Sequence, residues 1–269
     1  MPEITYYKPW VLFWVCAVLA HAYMDRSLWL KWSSWKRGQP QSSGRNWTFG
    51  SVRIWLMEVL LQRQLLGLSF TRWMIHLLIF WGFLCLAALS LFLFFLSIAG
   101  SIGIAGGLRE FFLRGSGHAL AKVWGDFFGL CLLLGLTAAG IRRLIMRPHQ
   151  LLNDQGDGTL LVFLLWLVIS GFLLEALRLG QAHHDMARYS FVAYSLAPLL
   201  AIDSMDAGQW LTAAWVIHSL SGIGLLLYLP QSKLMHSLLA PVVIALNASE
   251  EQGRKDIYWP GIKGHRPTR

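Results

Sequence analysis

Charged residues are scarce in this chain. They make up 14% of the 269 residues, while 55% are hydrophobic, and an ordinary soluble domain carries roughly 25% charged residues. Together with apolar runs of about the length that crosses a bilayer, this deficit excludes a water-soluble enzyme, a disordered chain and a collagen-like repeat. The composition is that of an integral membrane protein.

Cysteine motifs are also missing. The three cysteines, Cys16, Cys85 and Cys131, stand singly inside apolar stretches. No C-x-x-C, C-x-x-C-H or zinc-type spacing occurs. The chain therefore has no disulfide framework, and it has no motif for an iron–sulfur cluster, a c-type haem or a structural zinc of its own.

What the chain does contain is a set of apolar segments. A membrane-crossing helix needs about 20 mostly apolar residues. The segments that qualify lie at about 9–30, 73–100, 120–141, 159–179 and 210–229. The first has no small-residue cleavage site and reads as a retained span. The sequence predicts an all-α five-helix membrane domain over 1–247, followed by a basic tail over 248–269.

The basic residues predict the orientation. Sixteen of the 23 Lys and Arg residues lie in the 31–72 connection, the 141–158 connection and the tail from 231. Because cytoplasmic loops carry an excess of Lys and Arg, we expect the N-terminus outside and the C-terminus inside. The net charge of +9 is thereby explained by topology, with no nucleic-acid partner.

Two extramembrane stretches have some pattern. Residues 50–66 place Ile54, Met57, Leu61 and Leu65 at helical spacing, which predicts one interfacial helix on the inner face. Residues 186–202 are weakly apolar and closely bracketed by charges, so they predict a surface helix rather than a sixth span.

Three histidines are the leading ligand candidates, because ionisable groups inside a bilayer are costly and neutral imidazole binds metals well. His76 and His236 are placed near the inner ends of the second and fifth spans. His218 and His236 are 18 residues apart, about five turns or 27 Å on one continuous helix, so both face one way, with Pro230 bending the helix between them. Each is either a haem ligand or a hydrogen-bonded packing histidine.

Other polar residues leave more alternatives open. His118 is a quinone contact, a haem ligand with His218, or solvated, and His21 is a polar packing residue or a ligand. Asp126 and Glu175 either serve protons of quinol chemistry or pair with nearby arginines. We expect the remaining histidines to be loop or solvated residues: His149, His183, His184 and His265.

Order, spacing and topology together give a resemblance. Its carriers are RWMIHLLIFWGF at 72–83, IRRLIMRP at 141–148 and VIHSLSGIGLLLYLPQSKLMHSLLAP at 216–241, with LLQRQLLG at 60–67 upstream. Over about 60–247 the chain resembles the nitrate reductase gamma subunit and the membrane cytochrome b subunits of heterodisulfide reductase and of the sulfite-reduction-associated complex. The 60–67 stretch is more like the heterodisulfide reductase branch.

The resemblance implies positions for cofactors. In that family a second-span and a fifth-span histidine hold the inner haem b, here His76 and His236. The outer haem uses a histidine ten residues further along the second span, paired with the position of His218. Leu86 occupies that place here, so either His218 pairs with another residue such as His118, or the outer haem is absent. The family's quinone pocket corresponds to the region of His118, Lys122 and Asp126.

These implications predict a cytochrome b subunit of the inner (cytoplasmic) membrane, with one or two haems. It exchanges electrons between membrane quinone and an iron–sulfur subunit docked on the cytoplasmic face, with further membrane or periplasmic subunits as possible partners. As the quinone-reactive subunit it belongs to a multi-subunit oxidoreductase. The alternatives are a transporter and a haem-free membrane anchor. A transporter is expected to have internal repeats, and none is visible in this sequence.

Overall fold

A computed structural model of the chain describes residues 7–38, 49–104, 106–113, 115–146, 155–181, 186–200 and 207–250. Within these ranges all regular secondary structure is helical and there is no strand. The all-α prediction is confirmed. The α-helices of the described ranges are α1 (Tyr7–Gly38), α2 (Phe49–Trp55), α3 (Arg63–Leu68), α4 (Phe70–Ser101), α5 (Gly106–Leu113), α6 (Gly117–Ile141), α7 (Gln155–Gln181), α8 (Phe191–Leu196), α9 (Ala207–Tyr228) and α10 (Met235–Glu250).

Five of the described helices are long and apolar enough to cross a membrane, as predicted. They cover Val11–Ser34, Phe70–Ser101, Gly117–Ile145, Gly158–Gly180 and Gly208–Gln231. Their ends differ from the predicted ends by four residues or fewer. The agreement is close because a membrane-spanning helix has to be about as long as the apolar run that crosses the bilayer. The direction in which they cross stays a prediction.

The chain divides into two compact units. The first unit comprises Met1–Phe13 and Met74–Leu225, and the second comprises Trp14–Trp73 and Leu226–Arg269. The boundaries fall within α1, near the start of α4 and near the end of α9.

Glycines let α6 pack closely against two neighbours in the first unit. A Cβ on Gly82 of α4 would lie 2.7 Å from the backbone nitrogen of Leu132, and one on Gly129 would lie 2.9 Å from the Phe172 ring of α7. Both distances are shorter than van der Waals contact. Since apolar helices in lipid associate mainly through close packing, these glycines stabilise the contacts of α6 with α4 and α7.

The 186–200 segment packs against α6 and α7 in the same unit. It consists of a 3₁₀ turn at Ala187–Tyr189, helix α8 and a second 3₁₀ turn at Ala197–Leu200. Ala193 and Ala197 are buried against Ala176 and Leu179 of α7. The prediction of a short surface helix rather than a sixth span is confirmed: one face is buried, and Tyr194 and Leu199 on the other are exposed.

The single interfacial helix predicted over 50–66 is wrong. Helix α2 ends at Trp55, a π-helical turn covers Leu56–Leu60, and α3 begins at Arg63. Gln62 between them is buried and has a φ of +49°, a left-handed backbone conformation that interrupts the helical hydrogen-bond ladder. The predicted apolar face is therefore broken, and Ile54 and Leu61 are exposed.

A second break separates His218 from His236. Helix α9 ends at Tyr228, a 3₁₀ turn covers Leu229–Gln231, and α10 begins only at Met235. Pro230 in this turn has no N–H to continue an α-helix. The prediction that both histidines face one way required a continuous helix, so that argument is wrong.

In the second unit, two side chains donate hydrogen bonds to the backbone carbonyls of prolines. The Lys31 ammonium donates to the Pro230 carbonyl over 2.6 Å, and Trp55 Nε1 donates to the carbonyl of Pro241, inside α10, over 2.8 Å. We call residues 226–250 with Lys31 and Trp55 the proline-break region. Its hydrogen bonds keep α10 and its first turn in place.

Candidate functional site: the histidines and a buried charge cluster

His236 lies in the first turn of α10, directly after the break, and its side chain is exposed. Its Nδ1 is hydrogen-bonded to the carbonyl of Lys233. A carbonyl can only accept, so Nδ1 donates, and the neutral ring carries its lone pair on Nε2. Metal-ligating histidines typically have this arrangement, with the second ring nitrogen donating to a carbonyl or carboxylate. His236 therefore fits the role of a haem-iron ligand.

His76 lies on α4, six residues after its first residue Phe70, and is half-buried. It belongs to the first unit, and His236 belongs to the second. His21 of α1 donates through Nδ1 to the carbonyl of Ala17, one turn back, over 2.8 Å. That bond satisfies the ring as a polar packing residue requires, and like the bond of His236 it leaves the lone pair on Nε2, so both predicted roles of His21 stay predictions.

His218 of α9 is held against α7. Its Nδ1 lies 2.9 Å from Ser170 Oγ, and that hydroxyl also donates to the Leu167 carbonyl over 3.0 Å. A hydroxyl has one proton, so Ser170 accepts from His218, whose lone pair is again on Nε2. The ring also lies close to Gly171, where a Cβ would be 3.1 Å from Cε1. The absence of a side chain at Gly171 permits this approach.

The contacts between α4, α6 and α7 show which residues lie at the same height along the helix axes as His218, which we call its level. Gly82 meets Leu132 and Gly125 meets Leu89 across α4 and α6, which places Leu86 near residue 128. Gly129 meets Phe172 across α6 and α7, next to the contact of His218. Leu86 therefore lies at the level of His218, where the resemblance expects a second ligand, and its side chain has no ligand atom.

His118 lies at a different level. Lys122 pairs with Glu175 across α6 and α7, so His118, one turn before Lys122, is level with a residue near 179. Residue 179 is about 12 Å along α7 from Gly171 by helical rise. The two axial ligands of one haem must share a level, and the structure does not bring His118 and His218 to one. His118 Nδ1 instead lies 3.3 Å from the Phe112 carbonyl.

A buried charge cluster joins α6, α7 and the 186–200 segment. Lys122 donates to Glu175 Oε1 over 2.7 Å and to Ser190 Oγ over 3.4 Å. Ser190 donates to the same carboxylate oxygen over 3.0 Å, and Arg178 lies 2.7 Å from Glu175 Oε2. With Asp126, these residues are the Lys122 cluster: Lys122, Asp126, Glu175, Arg178 and Ser190.

Asp126 fixes the start of α8. Its Oδ2 accepts hydrogen bonds from the backbone N–H groups of Val192 and Ala193, at 2.6 and 3.4 Å. Irregular backbone inside a membrane domain is tolerated where its polar groups are satisfied by the protein. Asp126, which is almost fully buried, supplies that satisfaction for the N–H groups of Val192 and Ala193.

The role of Glu175 was open, from the sequence, between proton chemistry and pairing with an arginine. The structure pairs it with both Arg178 and Lys122. Ser170 and Ser190 were missed, because each meets its histidine or lysine across more than 45 residues of chain and no local spacing signals such a contact. Five residues that the sequence offered as ion-pair partners or as solvated groups lie outside the described ranges: Arg114, His149, His183, His184 and His265.

Among the described residues no three His, Cys, Asp or Glu side chains are grouped as a polydentate metal site. In this part of the chain the candidate metal ligands are therefore individual histidines whose Nε2 carries the lone pair. Histidine imidazole is a common ligand of haem iron.

The family was identified from the sequence. A family model described as the nitrate reductase gamma subunit matches residues 107–248, which is more than half of the chain. The chain belongs to the nitrate reductase gamma subunit family. The matched range of this family contains His118, the Lys122 cluster, His218 and His236, whereas His76 precedes it.

Individual relatives agree with this family. The chain is 27% identical over 201 residues to a subunit of the dihydromethanophenazine:CoB–CoM heterodisulfide reductase of Methanosarcina thermophila, covering 74% of this chain and 67% of that protein. It is also 27% identical over 202 residues to the corresponding subunit from Methanosarcina barkeri, covering 74% and 68%. No solved structure gives a significant match.

The expected resemblance to the nitrate reductase gamma and heterodisulfide reductase subunits is confirmed. Relatives that are subunits of reductases imply electron transfer within a multi-subunit membrane complex. The five apolar helices and these relatives agree on a multi-pass membrane protein.

Proposed function

We propose that this protein is a haem b-containing membrane subunit that passes electrons between the quinone pool and an iron–sulfur partner of a respiratory oxidoreductase. The observation that carries the proposal is the family match over residues 107–248. The relatives' name pairs a reduced organic carrier, dihydromethanophenazine, with a disulfide acceptor. Oxidation of such a carrier and reduction of a disulfide each involve two electrons, and in the proposal this subunit is part of the path between them.

The proposed inner haem b is ligated by His76 and His236. His236 is prepared for this role by the Lys233 carbonyl, which accepts from Nδ1 and leaves the lone pair on Nε2. Haem b held by both imidazoles would supply a one-electron iron couple and would have no site left for oxygen. The two residues thereby favour electron transfer over oxygen binding.

The number of haems in the proposal is one or two. His218 presents Nε2 through its bond with Ser170, but Leu86 occupies the level at which the second ligand is expected. The height difference between His118 and His218 supports His118 as a residue of the quinone site rather than a ligand of this haem. In the proposal, the quinone site is formed by His118 and Lys122, with Asp126 fixing the neighbouring segment.

The iron–sulfur partner is proposed to dock on the cytoplasmic face of an inner (cytoplasmic) membrane. The chain has no cysteine motif for a cluster, so the clusters belong to another subunit. The basic tail over 248–269 and the 50–66 region are the segments proposed to contact it. Most of that tail, from residue 251, lies outside the described ranges.

Visible spectra of the purified protein test the proposal. The reduced-minus-oxidised spectrum is expected to show a low-spin b-type haem, which a transporter or a haem-free anchor would not give. His76→Ala and His236→Ala are each expected to abolish the absorbance of this haem, because one imidazole holds it too weakly. His21→Ala is the matched control and should keep it. Full haem content in either of the first two variants would contradict the ligand assignment.

A further inference from the structure

We propose that Glu175 is a positioning residue of the quinone site: it holds the Lys122 ammonium oriented towards the quinone oxygen. This inference rests on the proposed function, because it requires a quinone at His118 and Lys122. It adds a residue from a different helix, α7, whose role no spacing in the sequence indicates.

The geometry of Lys122 leaves one donor for a ligand. An ammonium group has three N–H donors. Among the described residues, two are used, by Glu175 Oε1 at 2.7 Å and Ser190 Oγ at 3.4 Å. Both acceptors lie on the side of α7 and the 186–200 segment. They fix the direction of the third N–H, which is available to donate to a carbonyl or phenol oxygen.

The burial of Lys122 makes its counter-charge necessary. The Lys122 side chain is 5% exposed, Glu175 is 22% exposed and Arg178 is 42% exposed. A buried ammonium without an opposite charge loses its proton or moves towards water. Glu175 is the acidic group paired with Lys122 in the described structure, so it compensates the ammonium charge at this buried position.

Arg178 and Ser190 complete the arrangement around the carboxylate. Arg178 bonds to both oxygens of Glu175, at 2.8 and 2.7 Å, and Ser190 donates to Oε1 at 3.0 Å. A carboxylate bound by three donors is rigid and remains an acceptor. Glu175 is consequently suited to positioning a cation, and the release of quinol protons is left to other groups.

The test measures ligand binding as well as turnover. Menadione binding to the full-length protein in detergent is followed by quenching of tryptophan fluorescence. Menadiol oxidation with dichlorophenolindophenol as the electron acceptor, corrected for the reaction without protein, gives kcat and KM. Glu175→Gln is expected to raise the Kd and KM about tenfold with kcat little changed, since one charge-assisted hydrogen bond is weakened. Glu175→Asp keeps the charge but shortens the side chain, so it should raise the Kd by a smaller factor of about three, and Glu110→Gln, at an exposed glutamate of α5, should leave the Kd unchanged.

The outcomes separate this inference from the proposed function. If Lys122→Ala weakens menadione binding while Glu175→Gln lowers only the thermal midpoint, Glu175 is structural and the inference is overturned. If His118→Ala and Lys122→Ala together leave the Kd unchanged, the quinone site itself fails, and the inference fails with it. If Glu175→Gln does not fold, Glu175→Asp decides: a raised Kd at an unchanged midpoint supports the inference, and an unchanged Kd overturns it.

Discussion

The Lys122 cluster and the proline-break region both keep polar groups among apolar helices, and they do so by different means. In the Lys122 cluster, charged side chains from α6 and α7 are paired with one another. In the proline-break region, single donors, Lys31 and Trp55, bond to the backbone carbonyls of Pro230 and Pro241. The first arrangement compensates charge, and the second compensates an interrupted helix.

The difference indicates what each region is for. A broken helix is a means of placing a residue: the turn after Pro230 sets His236 in the first turn of α10, with Lys233 beside it. The buried ion pair of Lys122 and Glu175 has less structural benefit, because apolar residues of similar volume often stabilise a protein as well as a buried ion pair does. A charged cluster inside a span is by default a functional-site hypothesis.

Labelling from one side of the membrane gives the largest expected effect, because it is all or none. With the native cysteines replaced by serine, Tyr194→Cys and Gln64→Cys place single thiols at exposed positions of the two units. The distribution of Lys and Arg predicts that an impermeant maleimide reaches Tyr194→Cys only from outside and Gln64→Cys only from inside. Labelling of both from the same side would reject the predicted orientation.

Breaking the charge pair is expected to give the next largest effect, and an asymmetric one. Glu175→Gln leaves buried Lys122 without its counter-charge, which we expect to cost about 3 kcal/mol of unfolding free energy. Lys122→Met leaves Glu175 paired with Arg178, so we expect about 1–2 kcal/mol. The double variant should resemble Lys122→Met. Denaturant unfolding in detergent measures all three, and equal costs for the two single variants would contradict the pairing.

The sequence predicts the spans well because each depends only on its own residues. A run of apolar residues has to cover the bilayer wherever its neighbours are, and the five predicted segments coincide with five described helices. Local signals also exist for the break before α10, since Pro230 cannot continue a helix. Gln62 has no such signal, because a non-glycine residue with a positive φ is unusual.

The candidate site is less predictable from sequence because its contacts join distant parts of the chain. Lys122 and Glu175 are 53 residues apart, and Asp126 and Val192 are 66 apart. Each residue is visible alone as a polar group in a span, but its partner depends on how α6 and α7 pack. His218 was likewise visible, whereas its bond with Ser170 depends on the contact of α9 with α7.

A hydrogen bond in the proline-break region should matter less than the charge pair. Trp55→Phe removes the N–H that donates to the Pro241 carbonyl while keeping most of the aromatic contact. We expect a loss of about 1 kcal/mol of unfolding free energy. Trp29→Phe is the matched control, since Trp29 is 64% exposed and should have almost no effect. A loss for Trp55→Phe as large as that for Glu175→Gln would remove the distinction between the two regions.

The smallest expected effect tests the contact of His218 with α7. In a helix interior, Gly→Ala is intrinsically stabilising by about 1 kcal/mol. Gly222→Ala in α9 should show a gain of this kind, because no atom lies within 4 Å of the added Cβ. Gly171→Ala places a Cβ 3.1 Å from His218 Cε1, so the ring has to move by a few tenths of an ångström and strain its bond to Ser170. We expect that strain to cancel the gain, leaving the thermal midpoint of Gly171→Ala near that of the parent.

In Ser170→Ala the ring is no longer held, so adding Gly171→Ala to that background should recover part of the stabilisation. If Gly171→Ala and Gly222→Ala stabilise the protein equally, His218 does not rest on α7, and the argument that places its lone pair on Nε2 is lost.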